Sequence, residues 1–224
     1  MPAEVCSWEM GVRFDLVAIT VCKDYAGELA CTLPVLASQC DAVYVVCDPS
    51  DFEVLSIVRR CGAIPVEFSG WTANGAKFNK SGAVSAGQKR AHSDWPGACY
   101  LVVDADIVIP NSLRLMIDHQ ARDRTQMYGV DRDEFVTWDH YQSGVPDNSQ
   151  QANKESLPWA GYFQLYWKPT LYSEWSYSAA VCDLDFSGKF LKKTKLVGAA
   201  CKHLGFGAQN WQGRTTPAWG PPRG

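Results

Sequence analysis

The sequence predicts a single α/β domain in which a mostly parallel central sheet carries helices on both faces. Three observations predict it. Short apolar runs rich in β-branched residues alternate with helical stretches through the first half of the chain. Those runs are continuously apolar, as strands covered on both faces are. The length of 224 residues suits one core.

The elements follow in order. FDLVAITV (14–21) reads as the first strand, and the polar break after it opens a helix over 25–39. AVYVVC (42–47) is the second strand, and DPSDFEVLSIVRRCG supplies the next helix. AIPVEF (63–68) is the third, followed by a Gly/Asn/Trp loop and a helix over 79–93. ACYLVV (98–103), the most hydrophobic strand, leads into the helical NSLRLMIDHQ. The second half changes character. Aromatic-rich strands are expected at QMYGV (126–130), EFVTW (134–138) and GYFQLYW (161–167), with a long polar loop over 139–158 of the kind that usually serves function. A helix over 183–192, a strand KLVGAA (195–200) and a Gly/Trp/Pro-rich tail complete the chain. There is no internal repeat.

Composition narrows the function. With 46% hydrophobic and 20% charged residues the chain belongs with globular proteins, and a net charge of -3 gives no broad cationic surface for nucleic acid or anionic membrane. The N-terminal MPAEVCSWEMGVRFDL lacks a basic start followed by an apolar core, and no run approaches the ~18 apolar residues of a membrane span. A cytoplasmic protein without an integral membrane segment is expected. The nine cysteines are scattered through apolar runs with no C-x-x-C pair, so reduced, packed thiols are expected rather than a disulfide framework or zinc site.

The chemistry concentrates where the fourth strand ends. In ACYLVVDADIVIP (98–110), Asp104 and Asp106 stand two residues apart, a spacing that points both carboxylates to one side of an extended chain. Ligands of parallel α/β sheets bind beyond the carboxyl ends of the strands. Two hard oxygen donors there suit Mg²⁺ or Mn²⁺, ions that keep positions open for water and phosphate oxygens. D-x-D alone also arises by chance, one aspartate capping a turn and the other solvated.

The run NKSGAVSAGQKRAHSDWPGACYLVVDADIVIPNSL (79–113) resembles nucleotide-sugar glycosyltransferases of the Rossmann-like GT-A fold, particularly the family-2 type. CDLDFSGKFLKK (182–193) is similar to that family's E-D-x-D-L segment, and CKHLG (201–205) to the histidine that closes its metal site. The ending HLGFGAQNWQGR (203–214) looks like a subgroup of small bacterial and viral members. The likeness spans about residues 14–214. It departs at Cys182, where an acidic residue is usual, and at Gln88 and Lys89, where Asn and Gly are common.

The resemblance implies a metal-dependent transfer of a sugar from a nucleoside-diphosphate sugar to a hydroxyl acceptor such as a glycan, by inverting displacement. It divides the chain into a donor half (about 14–110) and an acceptor half with a metal-closing tail (111–214). Asp104 and Asp106 would hold Mn²⁺ or Mg²⁺ against the diphosphate, Asp106 the more directly, with His203 as third ligand. Asp183 would accept the proton of the attacking hydroxyl. Lys80, with the amides of a helix start, would meet the diphosphate. Thr20 and Asp48 would contact base and ribose, and Arg214 would clamp the donor from the tail.

Each role has a plainer rival. Asp183 fits a helix N-cap, His203 a satisfied core or surface histidine, Lys80 an exposed lysine, Asp48 a turn residue before Pro49, and Arg214 an exposed tail residue. Asp185 competes with Asp183 but falls on a different helix face. Tyr128, Trp138, Tyr162, Phe163, Tyr166 and Trp211 could line a sugar platform or simply fill the core. A sugar nucleotidyltransferase would share the sheet and carboxylates but bring a glycine-rich basic loop after the first strand, where ITVCKDYAGELA has only Lys23 and one glycine. A noncatalytic nucleotide-sugar-binding module is the third alternative.

Overall fold

In a computed structural model, residues 14–147, 159, 161–205 and 219–220 are described. The first half alternates strand and helix: β1 (Leu16–Cys22), α1 (Ala26–Gln39), β2 (Ala42–Cys47), α2 (Phe52–Arg60), β3 (Ile64–Glu67), a 3₁₀ turn (Ala73–Gly75), α3 (Lys80–Asp94) and β4 (Cys99–Asp104). After it come β5 (Ile107–Val108), α4 (Leu113–Gln120), β6 (Met127–Phe135), α5 (Trp138–Ser143), β7 (Phe163–Tyr166), α6 (Ala179–Gly188) and β8 (Lys193–Leu204). The strands form one sheet in the order β3-β2-β1-β4-β7-β6-β8-β5. β3, β2, β1 and β4 run parallel, β7 is antiparallel to both β4 and β6, β6 and β8 are again parallel, and β5 is antiparallel to β8.

The central strands are apolar because both faces are covered. Leu16, Ala18, Val43, Val45, Leu101 and Val103 pack with α1 and α2 on one side. Val17, Ile19, Tyr44, Val46, Tyr100 and Val102 pack with α3 and α6 on the other. Alternate residues of each strand thus enter opposite layers, which is why the pattern shows no polar alternation. The eight described cysteines are free thiols, four of them on β1, β2, β4 and β8. Among the described residues no helix is long and apolar enough to cross a membrane.

Several sequence expectations change. The strands read at 126–130 and 134–138 are one strand, β6, because the intervening DRD continues to pair with β8. The polar stretch 139–158 opens with α5, whose cap Thr137 accepts the His140 amide at 3.2 Å and whose left-handed Gly144 ends it; 148–158 lie outside the described residues. The helix expected over 183–192 begins at Ala179, four residues earlier, and ends at Gly188. The two-residue β5 was too short to read.

Two features of α3 generate tests. Gly87 faces β1 and β2 so closely that an added Cβ would sit 2.6 Å from Ile19 Cγ2 and 2.7 Å from Val46 Cγ2. Gly87→Ala should therefore cost about 1–3 kcal/mol of overpacking despite its better helix propensity, as denaturant unfolding would measure. His92 packs on Tyr100 with ring centroids 4.2 Å apart, and burial lowers its pKa to about 4 from an ordinary 6.5. The unfolded chain then binds more protons in that window, so His92 contributes stability above pH ~6.5 that is lost as pH falls toward ~4. Unfolding curves from pH 7 to 4 should fall less steeply for His92→Asn than for the natural protein.

Candidate functional site

The site forms beyond the carboxyl end of β4, where the parallel part of the sheet gives way to the antiparallel part. β4 ends at Asp104, and residues 105–106 turn before β5. The expected extended-chain arrangement of the two aspartates therefore does not hold, and each carboxylate has its own partner. Asp104 Oδ1 lies 2.7 Å from Lys80 Nζ, whereas Asp106 Oδ2 lies 3.4 Å from His203 Nε2.

Lys80 is the first residue of α3 and is buried. Its ammonium also meets Asp183 Oδ2 at 3.0 Å, so one cation joins a β4 carboxylate to an α6 carboxylate. Burial alone would lower the Lys80 pKa, but the two aspartates outweigh it and hold it well above its ordinary value. The same crowding acts on Asp104: burial first, then Asp183 and Asp106, raise its pKa to about 6 against the pull of Lys80. The expected anion site at the start of α3 is changed in one respect. The Gly82 amide donates to Asn79 Oδ1 at 3.0 Å and the Ser81 amide to Ser176 Oγ at 3.2 Å, so these amides are already engaged and Lys80 offers its ammonium.

Asp183 lies inside α6, in its second turn, which removes the N-cap reading. Its Oδ1 accepts a hydrogen bond from Tyr172 Oη at 2.9 Å, and its carbonyl accepts one from Gln164 Nε2 at 3.0 Å. Gln164 Oε1 shares the same phenolic hydrogen of Tyr172. Asp185, two residues on, is exposed on another face of α6. Cys182, the departure from the family pattern, is a buried thiol packed beside Asp183.

His203 sits within β8 rather than after a strand. The backbone pins it: the Leu204 amide donates to Asp106 O at 2.8 Å, drawing β8 against the Asp104–Asp106 turn. Its Nδ1 meets Glu134 of β6, and Arg132 Nε lies 2.8 Å from Glu134 Oε1. Burial would lower the His203 pKa, but Asp106 and Glu134 raise it to about 9. Glu134 itself is held below the carboxylate range, since His203 and Arg132 outweigh its burial.

Of the other expected residues, Tyr162 adjoins this cluster, its carbonyl accepting from the Asp104 amide at 3.2 Å and its ring lying under the Arg132 guanidinium. Thr20, on β1, is buried with its hydroxyl unpartnered. Asp48, after β2, accepts from the Ser50 amide and hydroxyl at 3.0 and 2.6 Å, with Lys23 Nζ 3.4 Å away, which is the turn role. Tyr128, Tyr162, Phe163 and Tyr166 are core residues, and Trp138 packs with Tyr141 and Trp219. Arg214 and Trp211 lie outside the described residues. Sequence reasoning missed Glu134, Arg132, Tyr172 and Gln164. The only signal for the first two was charge within an otherwise apolar strand, DRDEF.

Among the described residues no group of three or more His, Cys, Asp and Glu side chains is arranged to hold a metal ion by itself. Two donors nevertheless fit one. Asp106 Oδ1 is buried without a hydrogen-bond partner, and Asp106 Oδ2 and His203 Nε2 are close enough to touch the same ion. A small divalent cation held by one or two protein groups takes its other ligands from water and phosphate.

No family model and no curated protein matches the chain. Solved structures match its fold. Glucosyl-3-phosphoglycerate synthase from Mycobacterium tuberculosis in complex with Mg²⁺ and uridine diphosphate aligns with a TM-score of 0.52 at 10% identity, over 85% of this chain and 71% of that one. The same enzyme with Mn²⁺, UDP-glucose and phosphoglyceric acid gives 0.50 at 9% identity, over 85% and 72%. A 4-diphosphocytidyl-2C-methyl-D-erythritol synthase gives 0.53 at 15% identity, over 84% and 91%. The fold is thus GT-A-like, shared with enzymes whose named ligands or products carry nucleoside diphosphates.

One glycine fixes the Asp183 side chain. Gly161 has φ of +80°, and a Cβ there would fall 2.1 Å from Asp183 Oδ2. Gly161→Ala should cost ~1–2 kcal/mol in backbone strain plus the displacement of Asp183. Adding Asp183→Ala removes the contacts at 2.1 and 2.5 Å and leaves that with Asp183 Cβ at 2.9 Å, so a double-mutant cycle should show the pair less destabilised than the two single changes added together.

Proposed function

We propose that the protein is a divalent-metal-dependent glycosyltransferase that moves a sugar from a nucleoside-diphosphate sugar to a hydroxyl acceptor, with inversion. The observation that carries this reading is the convergence of Asp104, Asp106, Lys80, Asp183 and His203 at one end of the sheet in a GT-A-like fold. Residues 14–110 form the donor half and 111–214 the acceptor half.

Asp106 and His203 would hold Mn²⁺ or Mg²⁺, whose chemistry is to neutralise charge growing on the nucleoside diphosphate as the sugar's C1–O bond breaks. Asp104 reaches that charge indirectly, by orienting Lys80. The Lys80 ammonium, 3.0 Å from Asp183 Oδ2, has a better anionic partner once a diphosphate arrives. Turning toward it would release Asp183 Oδ2 to accept the acceptor hydroxyl's proton, while Tyr172 continues to hold Oδ1. Donor binding would thereby arm the base. Thr20, with its unpartnered buried hydroxyl, and Asp48 would contact the base and ribose, and Arg214 would clamp the diphosphate.

Nucleotidyl transfer is the rival, because the diphosphocytidyl product of one fold relative points to it. Against it, the turn after β1 carries a single lysine, Lys23, already between Asp24 at 3.7 Å and Asp48 at 3.4 Å.

Calorimetric titration with UDP-, GDP-, dTDP- and CMP-sugars, in Mn²⁺ and in chelator, should show one nucleotide class binding only with metal. Asp106→Ala should lose that binding. Asp183→Asn should keep it while transfer to a hydroxyl acceptor falls ~10²–10⁴-fold. Equal loss of donor binding in both variants, or transfer in excess chelator, would refute the division of roles or the metal requirement respectively.

A further inference from the structure

We propose that Glu134, braced by Arg132, is a positioning residue that sets the His203 ring for a metal ion; this rests on the metal-binding reading above. A histidine ligand presents one nitrogen to the ion and donates the hydrogen of the other to an acceptor that fixes tautomer and ring angle. His203 has that arrangement in full. Nε2 faces Asp106 Oδ2, and Nδ1 meets the Glu134 carboxylate, whose other oxygen is held by Arg132. The guanidinium is in turn fixed over the Tyr162 ring, 4.7 Å from its centroid. The chain Tyr162–Arg132–Glu134–His203–Asp106 crosses β6, β8 and the turn after β4, and all its polar members are at least half-buried.

The backbone is built to make this contact. β6 and β8 pair in register from Met127↔Lys193 to Val130↔Leu196, then Asp131 pairs with Ala200. Three residues of β8, including Gly198 at φ +100°, bulge out. An odd number of extra residues exchanges the faces of all that follows. Leu196 is buried before the bulge, and Cys201 and His203 are buried after it. Glu134 and His203 are thereby brought to the same rung. Without the bulge Glu134 would stand opposite Ala200, and His203 would pass the end of β6.

The test reads the ion directly. Mn²⁺ is titrated in the presence of UDP by electron paramagnetic resonance, with the imidazole ¹⁴N coupling recorded by spin echo, for the natural protein, Glu134→Gln, Arg132→Gln and His203→Asn. The natural protein should show nitrogen coupling that His203→Asn lacks. Glu134→Gln should bind Mn²⁺ about 10–100-fold more weakly with the coupling lost or altered, at an unchanged circular dichroism spectrum. Arg132→Gln, which keeps both other side chains, should show the same changes in smaller measure and serves if Glu134→Gln does not fold. Variants of Glu134 or Arg132 matching the natural protein in affinity and coupling would overturn the positioning role and leave the metal reading standing. Absence of nitrogen coupling in the natural protein would overturn the metal reading itself.

Discussion

The buried ammonium of Lys80 is the contact on which the site's geometry depends. Its two partners come from opposite ends of the chain's logic: Asp104 from the strand that terminates the parallel sheet, Asp183 from a helix that follows the antiparallel strands. A lone lysine would lose its charge in such a place, and two carboxylates so close would drive one another toward protonation. Together they satisfy each other, although three buried charges contribute little net stability relative to an apolar cluster. Their value lies in position. Asn79 ties the start of α3 to residue 176 through the Ser176 amide, and Tyr172 and Gln164 hold Asp183, so the ammonium has little room to drift.

The second constraint is the bulge in β8. Parallel pairing of β6 with β8 would by itself carry the strand past Glu134 with the wrong residue opposite it. The bulge shifts the register by three residues, buries Cys201 and His203, and delivers the Leu204 amide to the carbonyl of Asp106. Two aspartates that are neighbours in sequence thus serve different parts of the structure. Asp104 faces the α3 and α6 side through Lys80, and Asp106 faces the β6 and β8 side through His203.

Much of the fold was legible because its strands are buried on both faces. AVYVVC coincides with β2, and the other strands of the first half begin or end within about two residues of their expected positions. The second half was harder. β6 reads as two strands since Asp131, Arg132 and Asp133 interrupt its apolar pattern, yet those charges are compatible with a strand near the sheet's edge and in part serve the site. The dipeptide-spaced aspartates, Lys80, Asp183 and His203 were legible through a pattern spread over the chain. Tyr172, Gln164 and Glu134 were not, because a residue that orients another bears no spacing rule of its own: its partners are 11, 19 and 69 residues away.

The differing fates of the two aspartates also explain why the described residues hold no ready-made cage of three ligands. Asp104 already has a cation of the chain's own, so its charge is compensated whether or not a metal is present. Asp106 is compensated chiefly through an imidazole that must be protonated to serve, with a smaller pull from Lys80, and one of its oxygens has no hydrogen-bond partner. An unpaired buried carboxylate oxygen costs on the order of 1–3 kcal/mol, more when charged. On the proposed reading that cost would be recovered when a cation replaces the His203 proton, and the remaining coordination positions would be completed by what the cation brings or meets. A site with one aspartate neutralised from within and one left short of a partner is incomplete in its charges, and on the proposed reading a diphosphate carrying its own metal ion would supply the missing half.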